Sequence, residues 1–149
     1  MQSTQRVRKT DLARSTRQVI NDVLRGQTAV VESHGKPEVA IMDIIDYRII
    51  RAVMRTYNQQ PEIDVEAGLS DQQAANVSDP QERCNLVLAH YLAGAISLGR
   101  AAELLGLPWL DLRTRFLRLD VPLRTAPADL SDARADLEVA EAWPTPQQR

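Results

Sequence analysis

The chain has 149 residues, with 18 Lys and Arg against 20 Asp and Glu, a formal net charge of −2 and one cysteine. That length allows one domain or two small ones. No apolar run approaches the roughly 20 residues needed to span a bilayer, and the opening MQSTQRVRKT lacks the apolar core of a signal peptide, so a soluble protein of the reducing cytoplasm is expected.

The first predicted element is a short strand, VRK, followed by a helix over TDLARSTRQVINDVLRG. Thr10 or Asp11 suits its N-cap, and Gly26 suits the left-handed position at its end. Leu12, Thr16, Val19, Ile20, Val23 and Leu24 recur at helical spacing as one apolar stripe, with Arg14, Arg17, Asn21 and Arg25 on the opposite face. The stripe suits a sheet, which leaves the basic face for a polyanion. Two strands come next, TAVVES and EVAIM, joined at HGKP. Gly35 supplies the positive φ of the turn, and His34 is an exposed turn residue. In the second strand Val39 and Ile41 point one way while Glu38, Ala40 and Met42 point the other.

Asp43 caps a second helix, with Asp46 in the capping-box position three residues later. Along it Ile44, Ile45, Tyr47, Ile49, Ile50, Val53, Met54 and Tyr57 cover more than half the circumference, and Arg48, Arg51 and Arg55 form a narrow polar stripe. A helix this apolar in so small a unit predicts a homodimer, with Val39, Ile41, Ile45, Ile49, Ile50 and Val53 at the interface. The alternative is that a later part of the same chain covers the second side.

In the order KTDLARSTRQVINDVLRG, TAVVESHGKPEVAIM, DIIDY, the chain resembles the N-terminal domain of Phd/YefM-type antitoxins over roughly its first third. The hairpin VVESHGKPEVAIM followed by an acid-capped helix is the most specific part. The resemblance implies a dimer that binds the operator of its own operon and neutralises a protein toxin. It also implies that DNA is met by the first strand and the start of the first helix, here Arg6, Arg8, Lys9, Thr10, Arg14 and Arg17, with His34 and Lys36 nearby. Charge is divided in the same sense: residues 1–60 hold ten Arg and Lys against six acids, residues 61–96 one against six, and the remainder seven against eight. Only Lys9 and Lys36 are lysines, so most of the basic side chains can make planar, bidentate contacts to phosphate or guanine.

The stretch NQQPEIDVEAGLSDQQAANVSD has no Lys or Arg and five acids, which reads as an acidic linker over 59–79. In the resembled family this region often folds onto the toxin, which would make Ile63, Val65 and Leu69 toxin contacts; a flexible acidic tether is the competing reading. Pro80, preceded by Ser78 or Asp79 as cap, then opens a helix in which Cys84, Val87, Leu88 and Tyr91 share a face. Cys84 can form no internal disulfide and is expected to be a buried, inert thiol, and His90 to be a boundary residue.

In ISLGRAAELLGLPWLDLRTRFLRLDVPL, Ala102 lies four residues before Gly106, and Leu112 and Phe116 six and ten after it. A small residue, a turn glycine and two anchors at this spacing form the helix-turn-helix pattern. Its second helix would present Arg113, Thr114, Arg115 and Arg118 to DNA, or engage those arginines in ion pairs with Asp111 and Asp120 or with a protein partner. Residues 84–141, with YLAGAISLGRAAELLGLP as the most specific piece, also resemble a family of small helix-turn-helix proteins regarded as antitoxins, whose genes commonly neighbour those of PIN-like ribonuclease toxins. The final stretch is acidic, and Leu130, Leu137 and Trp143 are its candidate toxin contacts; a solvated terminal helix is the alternative.

There is no phosphate-binding Gly loop, no Cys/His cluster and no Ser with His and acid in a hydrolase pattern, so no enzymatic role, no metal and no cofactor are expected. The expected organisation is α+β: a dimerisation and DNA-binding domain over 1–58, an acidic linker over 59–79, and a helical helix-turn-helix domain over 80–149. The expected function is a type II antitoxin and autorepressor of the cytoplasm, with operator DNA and a PIN-like nuclease toxin as partners. The alternative is a stand-alone DNA-binding regulator.

Overall fold

A computed structural model describes residues 4–124. The protein is mixed α+β, and the chain divides into two compact units, one ending at Ile50 and the other starting at Arg51.

The first unit contains strand β1 (Thr4–Arg8), helix α1 (Lys9–Leu24) and strands β2 (Thr28–Ser33) and β3 (Lys36–Ile41). The sheet order is β1-β2-β3, with β1 parallel and β3 antiparallel to β2. Parallel neighbours need a crossover, which α1 supplies; antiparallel neighbours need only a tight turn. Strands β2 and β3 are joined by His34 and Gly35 between the paired Ser33 and Lys36. Both turn residues have positive φ, 52° and 75°, as the turn that matches strand twist requires. The expectation assigned this to Gly35 alone; His34 shares it. Strand β3 starts at Lys36, two residues earlier than the sequence pattern suggests, with Pro37 on the sheet edge where its missing N–H is tolerated.

Helix α1 starts at Lys9, and neither Thr10 nor Asp11 is its cap. Arg8 holds the extended N-cap position without a side-chain cap, and Asp11 lies in the first turn, where its charge complements the helix dipole. At the other end Gly26, at φ 99°, closes a pair of bonds in which Gln27 N–H donates to Asp22 and Gly26 N–H to Val23. Val7, Val19, Val23 and Ala29 form the buried core, with Leu12 and Ile41 packed against it. The apolar stripe of α1 is narrower inside the chain than its periodicity suggests: Ile20 and Leu24 remain 42% and 63% exposed.

Helix α2 (Ile44–Gln59) contains the boundary between the units. As expected, Asp43 caps it, its Oδ1 accepting from the N–H groups of Ile45 (2.7 Å) and Asp46 (3.3 Å).

The second unit continues with α3 (Asp71–Ala75), α4 (Pro80–Ala93), α5 (Leu98–Leu105) and α6 (Trp109–Arg118). The segment 59–79, read as a linker, is folded into this unit. Ser70 and Gln73 form a reciprocal capping box for α3, and Leu69 and Ala74 are buried. Arg100 on α5 holds the segment in place: its guanidinium donates to the Leu69 carbonyl (3.2 Å) and lies 2.9 Å from both Asp71 and Glu103. Partial burial works against the Arg100 charge, but Glu103 and Asp71 outweigh it and raise its pKa. Composition showed the acidity of this segment but not its apolar anchors, because their partners lie far along the chain.

Helix α4 follows the sequence closely, with Asp79 as cap, Pro80 in the first turn and Cys84, Val87, Leu88 and Tyr91 buried. Helices α5 and α6 are separated by Gly106 in the left-handed conformation (φ 67°), where Leu107 N–H donates to Ala102 and Gly106 N–H to Glu103. Ala102, Leu112 and Phe116 are all buried, as the spacing predicted. Tyr91 packs on Phe116 with ring centroids 5.2 Å apart.

Helix α6 ends in the same way as α5 but without a glycine: Asp120 takes φ 57°, and Val121 N–H donates back to Phe116 at 2.9 Å. A side chain in this region carries a steric cost that glycine lacks. Asp120→Gly is therefore expected to stabilise the protein by roughly 0.5–1 kcal/mol, read as a higher melting temperature; a lower one would mean that the Asp120 side chain makes an interaction worth more than the strain.

After the turn the chain crosses Tyr91, whose hydroxyl donates to the Pro122 carbonyl (2.8 Å) and accepts from Arg124 N–H (3.1 Å). Burial pushes the Tyr91 phenol pKa up, against the opposing pull of Arg124. The unfolded phenol thus loses its proton first, and this group's contribution to stability falls as pH rises past about 10. Tyr91→Phe is expected to flatten that alkaline decline and to cost about 1 kcal/mol at neutral pH, because it orphans two backbone groups. Urea melts at neutral and alkaline pH measure both effects.

Candidate nucleic-acid interface and partner-facing surfaces

Strand alternation places Arg6 and Arg8 of β1 in solvent while Val7 enters the core. The chain passes directly from Arg8 into α1, so Arg6, Arg8, Lys9, Thr10 and Arg14 follow one another on exposed positions. Three of them face an acid. Arg8 Nε donates to Asp11 Oδ2 at 2.7 Å, Lys9 Nζ to Glu38 Oε2 at 3.4 Å, and Arg6 lies 3.7 Å from Glu32. The Arg8 and Lys9 pairs, exposed on both sides, are worth at most about 1 kcal/mol each and are readily exchanged for phosphate, whereas the Glu32 side chain facing Arg6 is only 17% exposed. Arg14 and Arg17 are exposed and make no ion pair among the described residues. His34 and Lys36 of the hairpin are exposed as well.

The second candidate surface is α6. Thr114 is exposed, its hydroxyl donating to the Leu110 carbonyl at 2.8 Å. Arg115 is drawn against its own helix: Nε donates to Asp111 at 3.1 Å, and only 12% of the side chain is exposed. Arg113 and Arg118 are half-buried, while Leu110 and Leu117 stand out at 40% and 51% exposure. The outward face of α6 thus carries two leucines seven residues apart, a helical spacing legible in the sequence but overshadowed there by the arginines.

Of the residues assigned to a dimer interface, Val39 is exposed, Ile41, Ile45, Ile50 and Val53 are half-buried, and Ile49 is fully buried within its own chain. Other large apolar side chains that reach solvent include Ile20, Leu24, Ile44 and Tyr47 in the first unit, and Met54 and Tyr57 in the second. Periodicity assigned Ile20 and Leu24 to the sheet; a three-stranded sheet is too narrow to reach the whole stripe.

Among the proposed toxin contacts, Leu69 is buried, Val65 is exposed, and Leu130, Leu137 and Trp143 lie outside the described residues. Ile63 lines an open cleft of about 270 Å³ in the second unit, together with Pro61, Val77, Leu86 and Ala89. Arg55 and Glu82 stand at this cleft, 2.8 Å apart.

Among the described residues there is no cluster of His, Cys, Asp and Glu arranged to hold a metal ion, and no helix is long and apolar enough to cross a membrane. Cys84 is buried and forms no disulfide. No protein family, curated protein or solved structure matches the chain.

Proposed function

We propose that this chain is the antitoxin of a type II toxin–antitoxin system, acting in the cytoplasm as a homodimer of Phd/YefM type. It represses its own operon by binding operator DNA through β1 and the start of α1, and it neutralises a PIN-like ribonuclease toxin by direct contact. The observation that carries the DNA half of this reading is the succession of exposed basic residues Arg6, Arg8 and Lys9 where β1 passes into α1. The toxin half rests on the apolar cleft at Ile63 and the exposed leucines of α6, since a partner-binding surface needs apolar anchors with a polar rim.

The test is co-expression of the full chain with the product of the adjacent gene, followed by purification and titration onto the DNA upstream of the operon. A stable complex that binds this DNA is the expected result. Tight, salt-dependent DNA binding without a co-purifying partner would replace the antitoxin with a plain regulator, and a complex without DNA binding would remove the repressor role.

A further inference from the structure

The basic side chains of the first unit fall into two sets. Arg6, Arg8 and Lys9 each face an acid, at 3.7, 2.7 and 3.4 Å. Arg14, Arg17 and Arg25 make no ion pair among the described residues, and all three are exposed. At 100° per residue they share one stripe of α1 with Thr10, Gln18 and Asn21, all exposed as well. The two acids of the helix lie beside this stripe, already engaged: Asp11 accepts from Arg8, and Asp22 accepts from Gln18 Nε2 at 2.9 Å.

We infer that this stripe of α1 is a second, sequence-independent binding surface for the phosphate backbone of duplex DNA, distinct from the strand-end surface. The inference rests on the nucleic-acid half of the proposed function. From Arg14 to Arg25 the helix rises about 16 Å, which matches roughly five axial steps of one DNA strand. Guanidinium groups without a protein partner meet phosphate with no ion pair to give up, and the Thr10 hydroxyl one turn before them and the Gln18 and Asn21 amides between them donate to phosphate oxygens too. The stripe holds no acid to repel a polyanion. The two sets therefore divide the work: the acid-flanked residues at the end of β1 hold register, and the α1 stripe supplies general affinity that depends on salt rather than sequence.

The experiment is fluorescence anisotropy of the full chain on two duplexes of about 30 base pairs, the DNA upstream of the operon and an unrelated sequence, across roughly 50–200 mM salt. Replacing Arg14, Arg17 and Arg25 together with Ala is expected to weaken binding to both duplexes by the same factor, at least about tenfold, and to reduce the salt slope by about 0.9 for each phosphate that is no longer neutralised. Replacing the same three with Lys keeps the charge and should retain most of the affinity. Unchanged binding of the alanine variant to the unrelated duplex overturns the inference while leaving the repressor reading intact. A loss confined to the upstream DNA also overturns it, since the stripe would then read bases. If the unsubstituted chain binds neither duplex, the repressor reading falls and the inference falls with it. Melting curves of both variants, substituted only at exposed positions, separate weakened binding from unfolding.

Discussion

Phe116→Ala is expected to destabilise the protein by about 3–5 kcal/mol, a large effect for one substitution. Phe116 is fully buried, as is Leu112 on the same helix, and its ring stacks at a tilt on the equally buried Tyr91. Its carbonyl also receives the Val121 N–H that turns the chain out of α6. Removing the ring leaves a cavity beside Tyr91, and it loosens the α5–α6 corner together with the strap across Tyr91. A stability of about 5–15 kcal/mol is usual for a domain, so a loss of this size removes a large share of it. Urea unfolding followed by the fluorescence of Trp109, which lies in the same unit, measures the loss. A shift worth less than about 1 kcal/mol would mean that the corner repacks around the gap, and that Phe116 is not the anchor its spacing from Gly106 implies.

Replacing Arg6 and Arg8 together with Ala is expected to weaken binding to the upstream DNA by roughly tenfold to hundredfold, at about 1.4 kcal/mol for each factor of ten, while the fold remains intact. Both side chains are exposed and contribute nothing to the core, so melting should hardly change. The loss has two sources. Two positive charges leave the end of β1, and Asp11 and Glu32, which those charges screened, are left to repel phosphate. Binding to an unrelated duplex should fall less, because the α1 stripe is untouched. An equal loss on both duplexes would reduce the end of β1 to a general backbone-binding surface. No loss at all would move the DNA surface elsewhere, with Arg113 of α6 as the next residue to replace, since Arg115 is held by Asp111.

The sequence by itself determined the elements other than α3 and most of the second unit's interior. Caps, turn residues and apolar spacing act within a few residues of one another, so Asp43, Asp79 and Pro80, the turn at Gly35 and the trio of Ala102, Leu112 and Phe116 could be read directly and stand where they were expected. Local pattern also placed Arg6, Arg8, Lys9 and Arg14 together, because they are neighbours in the chain. What only the tertiary structure decided depends on groups distant in sequence. Lys9 meets Glu38 across 29 positions, and Arg100 meets the Leu69 carbonyl across 31. No composition rule reports such meetings, so an acidic stretch read as a linker proved to be anchored by Arg100, Leu69 and Ala74. The same reason separates the arginines that face an acid from those that do not, and the apolar residues of α1 that a narrow sheet can cover from Ile20 and Leu24, which it cannot reach.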